Sequence, residues 1–486
     1  MPRPDTLATA FAAFAAGWSV MALEMLDGRL MAPVFGQTLF QWGAIIGTAL
    51  FFMSLGYWAG GRLGAGRHSR AALPALLGFA ALCAALTPWI GRGIAAAAEA
   101  GLGPVAGAVG TSAVLIGPPA FCLAAVSPLC VARLAERGGA GPASGAISAC
   151  QALGSIGGTF FAAFFAVPVM GLVAGYASAA ALAALAALAT GLAPWRAALV
   201  LLPLLPGLLS EQARAARFAH YDETPYNTIM VWEDAAARYL MLNSPLAVQS
   251  MQRRDGTLPG SYWELLGATP ALADGRRALF LGVAGGSAIA AMQRAFPDLR
   301  GEGVELDPEV TAVARRDFGL SIPVRHDDAR RAIEQAGPEY DLIVSDLYAT
   351  AQIPPHAATV EFFAAAARRL APGGVLALNV FNTGDAGGIV GPLAATLRAV
   401  FPAVLAARSD SGNTLLFATR EGLTRETAQA RLAVVPAPAQ AAAGRLRVRL
   451  EDAAPLLAGF TPLTDNRSDL EWRSARMLAA WRERQR

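Results

Sequence analysis

Over its first 210 residues the chain is apolar with few interruptions, and beyond them apolar runs shorten and alternate with polar ones. Apolar segments of spanning length run over 7–26, 41–61, 71–90, 103–132, 144–167 and 169–192, each close to the roughly 20 residues a helix needs to cross the hydrocarbon core. The first is too long for a cleaved signal peptide and reads as a retained helix. A seventh, 197–209, is short and holds Pro203 and Pro206. Residues 1–210 are therefore expected to form a multi-pass α-helical membrane domain of six to eight segments. Gly43/Gly47, Gly56/Gly60 and Gly154/Gly158 give small-xxx-small faces for close helix approach, and Pro118, Pro119 and Pro128 are expected to kink the long fourth segment.

After a linker at 211–219, residues 220–275 read as a small β-element and a helix. Tyr221 to Leu242 alternates as two strands around Glu233-Asp234, and 260–272 reads as helical. From 276 to 486 the pattern is that of a doubly wound α/β domain, Rossmann-like. Ala278–Leu281 is a buried strand, a roughly nine-residue helical pattern follows, and Gly303-Val304-Glu305 is the next strand. Further strands fall at 322–324, 340–346 and 375–380, with a helix at 360–370.

Charge sharpens this division. Residues 1–210 hold nine arginines and five acids, leaving sixty-one of the 75 charged residues to the rest. All 39 basic residues are arginine, which excludes Schiff-base lysine chemistry and a Walker-type P-loop, and with the Ala, Gly and Pro content points to a GC-rich bacterial genome. A net charge of +3 gives no footprint for nucleic acid. The four cysteines, Cys83, Cys122, Cys130 and Cys150, lack CxxC spacing and read as packing thiols. With the N-terminus inside, Arg3, Arg62, Arg67, Arg70, Arg133, Arg137 and Arg196 collect on the cytoplasmic side against Arg29 and Arg92 outside. Seven full crossings would put the C-terminal domain outside, so the seventh segment is suspect. Glu24 is expected to be buried, with Asp27 and Arg29 at the interface.

The chemistry centres on the turn between the first two strands of the α/β domain, Gly282-Val283-Ala284-Gly285-Gly286-Ser287. Strand, glycine turn, helix and the strand-end acid Glu305 make half of a nucleotide-binding βαβ unit, in which glycine admits close backbone approach and the acid accepts ribose hydroxyls. No third glycine follows at the dinucleotide spacing, which favours an adenosine ligand without pyrophosphate, such as S-adenosylmethionine (SAM), over NAD.

TPYNTIMV, RYLMLNSPLAVQSM, SYWELL, the glycine turn, VELDP, DDAR, YDLIVSDLY and LAPGGVLALN follow one another over 220–385 in an order that resembles spermidine synthases, the aminopropyltransferases. The membrane half, with GYWAGGRLGAGR, is similar to that of membrane-bound spermidine synthase-like proteins. The resemblance implies a membrane-bound transferase that uses SAM or decarboxylated SAM as co-substrate, needs no metal and releases 5′-methylthioadenosine. It implies Asp346 as catalytic acid/base beside the sulfonium, with Tyr226 and Tyr262. Glu305 would hold the ribose, Asp328 with Asp327 the adenine, Gln249 the nucleoside edge, and Gly282, Gly285 and Gly286 the turn. Asn227, Tyr348, His356 and Glu361 fall to the acceptor side. The partners implied are the bilayer of a bacterial inner membrane, a small-molecule amine or other acceptor and further copies of the chain, with the α/β domain cytoplasmic.

Three positions depart from that pattern. Gly285 stands where the family carries the Asp that holds the amine of decarboxylated SAM, Ala349 where a second acid binds the polyamine, and Asn227 where a Gln follows Tyr. Removing the glycine-loop carboxylate removes its repulsion of the α-carboxylate of intact SAM and leaves turn N–H groups to receive it. Other readings are a methyltransferase on a lipid or small molecule, lactone formation from SAM without an acceptor, and a transporter or sensor with a regulatory nucleotide domain.

Overall fold

The structure, a computed structural model, describes residues 4–64, 69–245, 247–349, 351–382 and 388–485. Arg3, Arg67 and Leu246 of the readings above lie outside them. Two compact units follow one another, Met1–Arg217 and Phe218–Arg486.

The first unit is helical: α1 (Pro4–Phe35), α2 (Leu39–Gly64), α3 (Ser69–Leu115), α4 (Gly117–Gly138), α5 (Ala140–Phe161), α6 (Leu172–Thr190), α7 (Pro194–Leu201) and α8 (Leu204–Ala215). Among the described residues six stretches are long and apolar enough to cross a membrane. The third needs a closer look, because Gly103 (φ 78°, ψ 178°) leaves the helical region and divides it. A Cβ on Gly107 would lie 2.9 Å from Ala98 O, so the chain doubles back at Gly103. The helix that starts there continues past Ile116 through Ile116 N to Ser112 O and Ala120 N to Ile116 O, both 2.9 Å. The fourth crossing thus runs from 104 to 138, interrupted where Pro118 and Pro119 offer no N–H. α5 passes into a π-helical stretch, Ala162–Met170, which contains Pro168.

The expected seventh span is two short helices, α7 and α8, of eight and twelve residues. At 1.5 Å per residue they extend about 12 and 18 Å, too short to cross. Residues 211–215, expected as linker, belong to α8.

Glycine sets the helix spacing in this unit. A Cβ on Gly154 or Gly158 would come within 2.0 or 2.1 Å of Phe14 O or Trp18 O on α1, and one on Gly56 or Gly60 within 2.2 or 2.4 Å of Phe121 O or Ala125 O on α4. Gly43 and Gly47 have nothing within 4 Å among the described residues, so the third small-residue face packs against none of them. Asp27, expected at the interface, is 2% exposed and accepts a hydrogen bond from the Tyr176 hydroxyl. The reason is that α1 runs on to Phe35, which leaves Asp27 inside the packed helix.

The second unit opens with four antiparallel strands in sequential order, β1 (His220–Glu223), β2 (Thr228–Glu233), β3 (Ala237–Leu242) and β4 (Val248–Arg253), where the alternation suggested two. Ile229, Val231, Leu240 and Leu242 form its buried face, as a period of two dictates, and meet Val310, Val313 and Phe318 of α11 (Pro308–Phe318). α9 (Ser261–Gly267) leads into an eight-stranded sheet: β5 (Arg277–Leu281), β6 (Arg300–Glu305), β7 (Val324–His326), β8 (Tyr340–Ser345), β9 (Leu370–Phe381), β10 (Ala403–Arg408), β11 (Asn413–Thr419) and β12 (Leu450–Asp452). Its order is β12-β10-β11-β9-β8-β5-β6-β7. The five strands β9, β8, β5, β6 and β7 are parallel, and β11, β10 and β12 return antiparallel. α9, α10 (Ser287–Ala295), α15 (Arg425–Ala433) and α16 (Gln440–Arg449) cover one face. The other carries α12 (Ala329–Glu334), α13 (Val360–Arg368), α14 (Val390–Arg398) and α17 (Leu470–Gln485).

The chain runs outward from β5 through β6 to β7 and returns to β8 on the other side of β5. The connections leaving β5 and β8 diverge there, at a topological switch point, the place where open α/β sheets bind ligands.

Candidate active site

The glycine turn leaves β5 at Gly282, whose φ is 84° and whose Cβ, were there one, would lie 2.3 Å from Asp346 O. Both the left-handed backbone and the approach of the β8 connection require glycine here. Ala284 (φ 46°) takes a left-handed conformation uncommon for a residue with a Cβ, and Gly286 (φ 81°) caps α10.

Glu305 ends β6, 9% exposed, and points into this turn. Its Oε2 accepts from Val283 N at 3.2 Å and Ala284 N at 3.1 Å, and its Oε1 from Asp307 N at 3.2 Å. Burial raises its pKa above the ordinary carboxylate value, against the three amide bonds that pull it down. Two further turn amides have acceptors: Gly285 N donates to Ser250 Oγ (2.9 Å) and Gly286 N to Val283 O (2.9 Å). The N–H groups of residues 283–286, among those expected to receive a SAM carboxylate, thus have acceptors within the chain. A Cβ on Gly285 would meet Ser250 Cβ at 2.6 Å, so the space of the missing acid is filled by β4. Ser287 extends the seal, accepting from Met251 N at 2.8 Å and donating to Met251 O at 2.9 Å.

Asp346 follows β8. Its Oδ1 accepts from Asn379 Nδ2 at 2.7 Å and its Oδ2 from the Tyr262 hydroxyl at 3.3 Å. Burial pushes its pKa up to about 6, while these two donors pull it down. Burial, then the Asp346 charge, raises the pKa of Tyr262 well above the usual phenol value. Gln249, Tyr262, Tyr348, Asn379, Phe381 and Asn413 line one cleft. Tyr348 is fixed by its hydroxyl, which donates to Asn379 O (3.0 Å) and accepts from Phe381 N (2.6 Å).

Asp327 and Asp328 follow β7. Asp327 holds Arg331 through Oδ1 (2.5 Å to Nε), and that bond keeps its pKa below the usual range. Asp328 caps α12 by accepting from Arg331 N at 3.0 Å, and its Oδ2 is 3.2 Å from His356 Nε2. His356, expected on the acceptor side, thus pairs with the acid assigned to adenine. Glu361, expected beside it, accepts from Asp465 N (3.0 Å), next to the bidentate Arg330–Asp465 pair at 2.6 Å. Asn227 donates through Nδ2 to Asp307 Oδ2 (2.9 Å), and its Oδ1 accepts from Asn243 (2.9 Å), which ties the β-element to the cap of α11. Tyr226, on the same turn, is 45% exposed, and no bond links it to Asp346 among the described residues.

Four further residues belong to this arrangement. Asn379 ends LALN, and Asn413 starts the antiparallel β11 and donates to Asn379 Oδ1 at 3.0 Å. Ser250 closes the turn. Asp307 accepts from Thr224 Oγ1 at 2.6 Å while capping α11; the run Asp307-Pro308-Glu309 is a readable cap signal. Asn413 has no local signal. Among the described residues, one group has the ligand types of a metal site: His220, Asp222 and Glu309, with donor atoms within 4.8 Å of one another. No residue assigned to the nucleoside belongs to it.

A doubly wound sheet with a glycine turn, a buried strand-end acid and a second acid at its switch point has the Rossmann-like architecture of SAM-dependent transferases. Over 211 residues the chain is 32% identical to a probable polyamine aminopropyl transferase of Bifidobacterium longum, covering 42% of this chain and 47% of that protein, about half its length. Over 217 residues it is 30% identical to the polyamine aminopropyltransferase of Vibrio vulnificus, covering 42% of this chain and 72% of that protein. The chain belongs to the polyamine aminopropyltransferase family. Among solved structures, a probable spermidine synthase from Corynebacterium glutamicum is similar with a TM-score of 0.42 and 23% identity over 52% of this chain and 98% of its own. No family model matches the chain.

Proposed function

We propose that this protein is a membrane-bound transferase that moves the three-carbon chain of a sulfonium nucleoside, decarboxylated SAM or SAM, to an amine. The amine lone pair forms a C–N bond to the methylene beside the sulfonium, the C–S bond breaks toward sulfur, and 5′-methylthioadenosine leaves as a neutral thioether. The proton shed by the new ammonium passes to Asp346. The observation that carries this reading is the Asp346 carboxylate at the switch point, held from both sides by Tyr262 and Asn379. Burial places its pKa at about 6, near the operating pH of a general base. Glu305 is the ribose acceptor, Asp328 faces adenine, Gln249 takes the nucleoside edge, and Tyr348 lines the cleft in which the amine approaches.

The missing turn carboxylate favours a second element of the reading: intact SAM is turned over at least as well as the decarboxylated form. Nothing charged at Gly285 opposes the α-carboxylate, although the N–H groups of residues 283–286 have acceptors within the chain. Incubating the purified full-length protein with each labelled nucleoside and a diamine tests both points. 5′-Methylthioadenosine is the expected product. S-Adenosylhomocysteine would instead mark a methyltransferase, and a strong preference for decarboxylated SAM overturns the second element.

The soluble unit lies in the cytoplasm in this reading. Six crossings return the chain to the side of its N-terminus, and the arginine bias makes that side cytoplasmic. A reporter fused after Arg486 checks it; alkaline phosphatase activity there reverses the orientation.

A further inference from the structure

The membrane unit buries two carboxylates that the transferase reading does not use. Glu24 and Asp27 lie three residues apart on one face of α1, 8% and 2% exposed. Asp27 accepts from the Tyr176 hydroxyl of α6, whereas Glu24 makes no hydrogen bond or ion pair with any described residue. At the same turn Gln41 of α2, 0% exposed, donates to Gly28 O at 2.5 Å, and its Oε1 is left without a partner. Arg92 is near enough to Tyr176 to act on it electrostatically and has other contacts of its own. Neither carboxylate forms an ion pair with a cationic side chain among the described residues, although both lie inside an apolar helical unit.

A buried charge in such a medium requires a counter-charge. We propose that this cluster is a binding site for the ammonium group of an organic amine. Glu24, Asp27 and Gln41 Oε1 present unfilled acceptors, which match the three N–H donors of a primary ammonium. They are too few for the six or more oxygens that a hard metal ion gathers. Leu23, Leu26 and Leu30, all buried, supply apolar wall for methylene groups. The choice of a diamine as probe rests on the family to which the soluble unit belongs; the site itself does not depend on the transferase reading.

Binding of radiolabelled 1,4-diaminobutane to the full-length protein in nanodiscs, without SAM, tests the proposal. Saturable binding is expected in the wild type and in Asp346→Asn, which impairs only the site in the soluble unit. A loss of at least tenfold in affinity is expected in Glu24→Gln and Asp27→Asn. Unchanged affinity in both membrane variants, or no saturable binding by the wild type, overturns the proposal. Should the membrane variants fail to fold, competition on Asp346→Asn decides: excess unlabelled diamine must displace the label while 1,4-butanediol and sodium chloride do not. Equal displacement by the diol shows that charge is not read, and full displacement by sodium at constant ionic strength shows a metal-cation site; either result overturns it. Loss of transferase activity with diamine binding retained would refute the proposed reaction and leave this site standing.

Discussion

Asn379 Nδ2 donates to Asp346 Oδ1 at 2.7 Å, and the amide that makes this bond is itself oriented by Asn413. Because the donor favours the ionised carboxylate, Asn379 acts as a positioning residue that also tunes basicity. Asn379→Ala should lower kcat by roughly ten- to a hundredfold, in the range seen when groups that orient active-site ligands are lost. KM should change little, and the acid limb of the rate profile should move to higher pH. Asn413→Ala should give the same pattern more weakly. A fall in kcat with an unmoved pH limb would mean structural damage only.

The pH profile of the wild type follows from Asp346, whose pKa rises from 3.8 to about 6. The base must be ionised, so kcat/KM should climb through an inflection near pH 6, and Asp346→Asn should abolish turnover. Stability has the opposite sign. A carboxyl whose folded pKa exceeds its unfolded value binds more protons when folded, so its contribution is present below about pH 4 and is lost as pH rises toward 6. Asp346→Asn should therefore melt higher than the wild type at pH 7, as calorimetry would reveal.

Glu305→Ala should weaken SAM binding by roughly 1.5–3 kcal/mol, the range for a hydrogen bond to a charged group. The same change strips partners from Val283 N and Ala284 N, so a lowered melting temperature should accompany it. Titration calorimetry showing unchanged affinity in a folded variant would remove the ribose assignment.

Restoring the absent acid tests nucleoside choice. Gly285→Asp alone forces its Cβ against Ser250 Cβ, so the informative variant pairs it with Ser250→Gly. The double variant should shift the ratio of 5′-methylthioadenosine formed from decarboxylated SAM over SAM by at least tenfold relative to Ser250→Gly, about 1.4 kcal/mol. An unmoved ratio means that position 285 does not read the α-carboxylate.

Helix spacing gives a paired test. Gly158→Ala sets a methyl against Trp18 O, while Gly43→Ala meets nothing within 4 Å. The first should cost about 1–3 kcal/mol or more, seen as a lower melting temperature in detergent. The second should leave the monomer unaffected.

The parallel strands could be read before the structure because strands buried on both faces are runs of apolar residues, and their acids stand at run ends: Glu305 after Gly303-Val304, Asp346 after Leu342–Ser345. The break between 90 and 103 marked the reversal at Gly103, since a glycine followed by Pro104 cannot continue a helix undisturbed. Pairings set by tertiary register carried no such mark. Ser250 meets Gly285 only because β4 returns along the glycine turn, and Asn413 meets Asn379 only because β11 runs antiparallel to β9. The resemblance puts Asn227 and His356 on the acceptor side, and the partners they find, Asp307 and Asp328, depend on how α11 and α12 are capped.

Glu305 is fixed by three backbone amides. A glutamate on an open surface would lose rotamer freedom when a ribose arrived, a loss that counts against affinity at about 0.5–1.5 kcal/mol per ordered side chain. Here that entropy is surrendered when the chain folds, so a ribose bound as proposed would meet an acceptor with little freedom left to lose.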